Sequence, residues 1–176
     1  MRRVFFSMIF LIAMFGISVS AADREWNVYL PGNGACYIKL PANPEYQTQM
    51  VDAMATHIYV AKDLTRTPPF VYTLGFADYA KEKFTDKDAA KKLLDTDRDS
   101  FAKAVNGKIV SEKPVKKEAF SGRMIVVSGE DGLARYVLCE FLIDNRVFQL
   151  SVCVPAALLD DPDVSKFFDS FQLPKK

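Results

Sequence analysis

Leu133-Ala134-Arg135-Tyr136-Val137-Leu138-Cys139-Glu140-Phe141-Leu142-Ile143, then Asp144-Asn145, then Arg146-Val147-Phe148-Gln149-Leu150-Ser151-Val152-Cys153-Val154 reads as two strands around a tight turn. With two residues in the loop, Ile143 lies opposite Arg146, Cys139 opposite Leu150, and Tyr136 opposite Cys153. Side chains alternate faces along a strand. This register therefore gathers Val137, Cys139, Phe141 and Ile143 with Phe148, Leu150, Val152 and Val154 on one face, leaving Arg135 and Arg146 at its two ends. That face is core. Tyr136, Leu138 and Leu142 make the second face apolar as well, so both sides of the sheet are expected to be at least partly covered.

Working outward, Gly129-Glu130-Asp131-Gly132 is a turn preceded by strands over 108–118 and 123–128. Upstream of these, Asp86 to Val105 changes period: Ala90, Leu93, Leu94, Phe101 and Val105 recur at helical spacing, with Thr85 as N-cap and Asn106-Gly107 as the stop. Further strands are expected at 46–51, 56–61 and 70–76. A first hairpin pairs Trp26–Leu30 with Ala35–Leu40 through the turn Pro31-Gly32-Asn33-Gly34. A second helix closes the chain from Asp163 to Phe171, with Pro162 in its first turn and Val164, Phe167, Phe168 and Phe171 as its buried stripe. Hairpins interrupted by one helix and ended by another predict an α+β class, an antiparallel sheet with helices packed on it.

The N-terminus has the pattern of an export signal. Arg2 and Arg3 precede an apolar run from Val4 to Ile17, and Ser18-Val19-Ser20-Ala21-Ala22 supplies small residues for a peptidase. Cleavage is expected after Ala22, with Ser20 the alternative. The run is short for a membrane span, which needs about 20 apolar residues. Residues 1–22 are thus read as a signal peptide and 23–176 as one soluble domain, periplasmic or secreted. Without Arg2 and Arg3 the chain holds 21 Lys plus Arg against 22 Asp plus Glu. That balance suggests neither a nucleic-acid partner nor an anionic membrane surface.

Three cysteines in an exported chain leave two readings open, a Cys36–Cys139 disulfide or three separate thiols, and the hairpin register excludes a Cys139–Cys153 bond. His57 is the one histidine. It falls in a strand pattern among Ala55, Tyr59 and Ala61, and no nucleophile signature accompanies it, so it reads as structural. The scattered cysteines offer no zinc pattern, and no motif implies a cofactor. Asp95, Asp97 and Asp99 on the long helix, and Asp160, Asp161 and Asp163 before the second, read as solvated or capping groups. Arg98, four residues after Leu94 and three before Phe101, is the single candidate ligand-binding residue. An ion pair with a carboxylate is its alternative role. Lys108, Lys113, Lys116 and Lys117, interleaved with Glu112 and Glu118, read as a solvated strand face.

Trp26, then Cys36-Tyr37-Ile38-Lys39-Leu40-Pro41 with Pro44, then Arg98-Asp99-Ser100-Phe101 and finally Phe168-Asp169-Ser170-Phe171 follow an order that resembles exported bacterial members of the PsbP-like superfamily, the PsbP/Mog/DcrB-type fold. The resemblance implies an α/β/α sandwich and a noncatalytic binding or assembly role, with an envelope protein or a small ligand as partner. It carries no active-site residues. The competing class is a small exported hydrolase using carboxylates, which requires a cleft holding two of them within about 10 Å.

Overall fold

The computed structural model describes residues 26–51, 54–84 and 88–174. The expected export signal and the Thr85 N-cap lie outside the described residues. A seven-stranded antiparallel sheet runs in the order β3 (Glu45–Val51), β4 (Met54–Asp63), β5 (Phe70–Asp78), β9 (Arg146–Pro155), β8 (Ala134–Ile143), β7 (Phe120–Ser128), β6 (Lys108–Lys117). The β8–β9 hairpin has the register expected of a two-residue turn, with Ile143 opposite Arg146, Cys139 opposite Leu150 and Tyr136 opposite Cys153. Asp144 takes φ 56°, the left-handed backbone such a turn demands. This hairpin sits in the centre of the sheet, which is why both its faces are apolar.

One face packs against a two-stranded ribbon, β1 (Asn27–Tyr29) and β2 (Ile38–Leu40), and against helix α3 (Pro162–Ser170). Leu74, Tyr72, Leu150, Val152 and Cys139 meet Ile38, Leu40 and Phe167 there, all 3% exposed or less. The connection between β1 and β2 differs from the simple turn expected. Pro31–Gly34 forms one helical turn, α1, in which Gly32 and Gly34 hold φ of 59° and 87°. A Cβ on Gly32 would stand 2.5 Å from the Phe76 ring, so this glycine is fixed by both dihedral and space. Helix α3 starts where Asp161 caps the backbone N–H of Asp163, with Pro162 in the first turn. Its stripe is narrower than expected: Val164, Phe167 and the following Phe171 are buried, whereas Phe168 is half-buried.

The other face is covered by α2 (Ala89–Ala104). Phe101 and Ala102 pack on Ile125, Val127 and Leu138, and Leu93 packs near Ala77, Tyr79 and Val147. The result is an α+β sandwich with one large core on the ribbon and α3 side of the sheet and two smaller clusters on the α2 side. All three cysteines are unbonded, and Cys36 and Cys139 are buried. Burial in apolar surroundings raises both of these thiols to about 12, so they pack as small apolar side chains. Among the described residues no helix is long and apolar enough to cross a membrane.

Candidate functional site

Two groups of polar side chains stand out, one on each face of the sheet. Beneath α2, the pairing of Glu140 with Gln149 and with Arg123 lines these three up across β9, β8 and β7. Glu140 has no exposed surface, and Asp97 comes down onto it from α2 at 2% exposure. Arg123 Nε stands 3.3 Å from the Glu140 carboxylate, and the Gln149 amide donates to Asp97 at 3.3 Å. Burial is the chief cause of both acids' shifts. It pushes Asp97 up to about 7 and Glu140 up to about 8, while the Arg123 charge works in the opposite direction.

Asp97 corrects the reading of the helix carboxylates as solvated. It lies four residues after Leu93 and four before Phe101, on the inward stripe, with Asp95 and Asp99 to either side of it. Arg98 falls just off that stripe. Its guanidinium meets Asp99 at 2.8 Å, Glu112 at 3.2 Å and Asp95 at 3.7 Å, the ion-pair role that its spacing allowed. Arg123 joins the same network through Asp95 at 2.7 Å and Glu112 at 2.9 Å. It was invisible to helix-periodicity reasoning because it belongs to a strand. With Arg98 and Arg123 both paired to carboxylates, this network ties α2 to β6, β7 and β8.

The opposite face carries an open site. A cleft of about 570 Å³ lies between α1, the β8–β9 turn, the β6–β7 turn and the C-terminal segment, lined among others by Ala35, Asp78, Phe120, Ile143, Arg146, Phe148 and Leu173. Asp78 and Arg146 are cross-strand partners at the ends of β5 and β9. They form a two-pronged ion pair, Nε and one terminal nitrogen each donating over 2.6 Å. Hydrogen bonding to Arg146 holds the Asp78 carboxyl below the usual range. The Arg146 guanidinium lies 5.2 Å from the Phe76 ring centroid and 5.9 Å from that of Phe148.

An aromatic lane leads away from this pair. His57 stacks on Phe76 at 4.8 Å, and its Nδ1 is 2.8 Å from the Tyr46 hydroxyl. Tyr46 in turn rests 4.9 Å from Tyr59, whose hydroxyl accepts the Gly32 N–H at 3.2 Å. On the other side, Phe148 meets Phe171, which stacks on Phe141. The hairpin register had placed Arg146 at the end of the apolar face. Its partner came from β5, which pairing within the hairpin could not reveal.

Asp78, Glu118 and Asp144 line the cleft; Arg146 holds Asp78 in its charged form, the opposite of the raised carboxyl a general acid needs. The two raised acids, Asp97 and Glu140, are sealed beneath α2 on the far side of the sheet. The rings beside the Asp78–Arg146 pair, Phe76, Phe148, Phe141 and Phe171, are buried at 4% exposure or less, so the cleft presents a satisfied ion pair next to the half-buried Phe120 and Leu173.

No family model matches the chain, and no curated protein matches it by sequence. Among solved structures, the solution structure of cyanobacterial PsbP (CyanoP) from Synechocystis sp. PCC 6803 superposes with a TM-score of 0.59 at 10% identity, covering 93% of this chain and 99% of that one. The chain has a PsbP-like fold. The Ran-binding protein Mog1p of Saccharomyces cerevisiae is a more distant likeness, with a TM-score of 0.43 and 10% identity over 85% of this chain and 96% of that one. In this PsbP-like fold the cleft lies between the ribbon and the central hairpin, on the side away from α2.

Proposed function

We propose that the protein is an exported, noncatalytic binding or assembly module of the cell envelope, taking a protein segment or small ligand into the cleft beside Arg146. One observation carries the reading. The cleft is lined by Phe120, Phe148 and Leu173, and Asp78 and Arg146 within it pair with each other. Such a cleft offers apolar contact beside a paired charge. Export rests on the basic, apolar and small-residue succession of residues 1–22, which leads to a periplasmic or secreted protein.

The test is capture. Tagged protein recovered from the envelope of its own organism should bring down a specific partner or small molecule, identified by mass spectrometry. Recovery of the protein in the cytoplasm with its first residues intact would overturn the export part. A hydrolytic activity abolished by Asp78→Asn, with fold retained, would overturn the noncatalytic part.

A further inference from the structure

The two edges of the seven-stranded sheet differ in kind. Strand β6 carries Lys108, Lys113, Lys116 and Lys117, has Pro114 in its run, and is bulged between Ile109 and Ser111. Lysines, proline and a bulge are the means by which natural sheets refuse another strand. At the opposite edge, β3 pairs with β4 in unbroken register over all seven residues from Glu45 to Val51. It contains no proline and no lysine, its single charge stands at one end, and residues 45–50 are exposed, with Tyr46 at 51% and Met50 at 67%. An edge of this length, unbroken in register and unpaired among the described residues, is a template for a further strand.

The sequence of β3 selects the strand it would accept. Antiparallel pairing with a second β3 about a two-fold axis at Thr48 sets Tyr46 opposite Met50, Gln47 opposite Gln49, Thr48 opposite itself and Glu45 opposite Val51. Tyr46, Thr48 and Met50 lie opposite Tyr59, His57 and Ala55 of β4 and so share one face of the sheet. A ring against a thioether, threonine against threonine and amide against amide are favourable cross-strand pairs, and no like charges meet. A two-fold contact of this type closes on itself.

We infer that β3 is a self-association edge, through which two copies of the chain join about Thr48 into one continuous antiparallel sheet. The contact lies apart from the cleft and does not depend on what the cleft binds. Sedimentation and light scattering of the protein purified from an exporting host should give a mass that rises with concentration toward twice that of one chain. Gln47→Lys with Gln49→Lys places lysines opposite lysines and should abolish the dimer. Gln47→Lys with Gln49→Glu places lysine opposite glutamate and should restore it, and all three proteins should share one circular dichroism spectrum. A wild-type protein that stays monomeric, a dimer that survives the double lysine variant, or a lysine–glutamate variant as monomeric as the double lysine one would overturn the inference.

Discussion

Glu140 is a carboxyl with no exposed surface, and its energetic effect depends on pH in a direction that can be worked out. Its ordinary value of 4.5 applies to the unfolded chain, whereas burial raises it to about 8 in the fold. The folded state therefore keeps a proton that the unfolded chain has released. Stability contributed by the neutral acid is fully present below about pH 4.5 and is lost as pH rises toward 8. Asp97, raised to about 7, acts in the same sense. Denaturant midpoints should fall between pH 5 and pH 8 by the equivalent of more than about 1 kcal/mol, the scale of one pKa unit. Glu140→Gln, which has no proton to lose, should show a shallower fall. A wild-type midpoint level across that range would mean that the pair is not held neutral.

At the same scale, His57 hydrogen-bonds the Tyr46 phenol and stacks on the Phe76 ring. His57→Gln should cost about 1 kcal/mol, a single hydrogen bond's worth, as measured by urea denaturation. Asp97 was legible in the helical period: its neighbours at four residues to either side are Leu93 and Phe101. Charge type outweighed phase in reading it. Glu140 opposite Gln149 followed from the hairpin register, but its burial depended on α2 crossing that face, and nothing local announces such a long-range contact.

Among the elements, the strands were the most readable. The alternation around Asp144-Asn145 defined β8, β9 and their register because a two-residue turn leaves no freedom to slip. Helix α3 was found by its stripe, but helical spacing alone could not separate Phe167 from Phe168. The structure separates them, with Phe167 fully buried against Tyr72 and Phe168 half-buried beside it. Phe167→Ala should cost about 3 to 5 kcal/mol, as expected for emptying a filled aromatic site. Phe168→Ala should cost nearer to about 1 kcal/mol, typical of a partly exposed position. Equal losses in chemical denaturation would show that α3 is rotated relative to this description. The turn Pro31-Gly32-Asn33-Gly34 is a helical turn in which Phe76, distant in sequence, packs against Gly32 and leaves no room for a side chain there.

For the whole molecule, α+β class and coverage of both sheet faces followed from the patterning of one hairpin, while the cleft did not. It is assembled from α1, two turns and the C-terminal segment, and no stretch of sequence contains enough of it to be recognised. N-terminal sequencing of the exported protein should begin at Asp23; a product that still began at Met1 would contradict processing. If this cleft is the binding surface, capture of a partner by wild-type protein should be lost in Ala35→Trp, whose indole would fill the cleft from the residue following α1. The expected result is an unchanged circular dichroism spectrum with the captured partner lost. Capture by the folded Ala35→Trp protein at the wild-type level would contradict it.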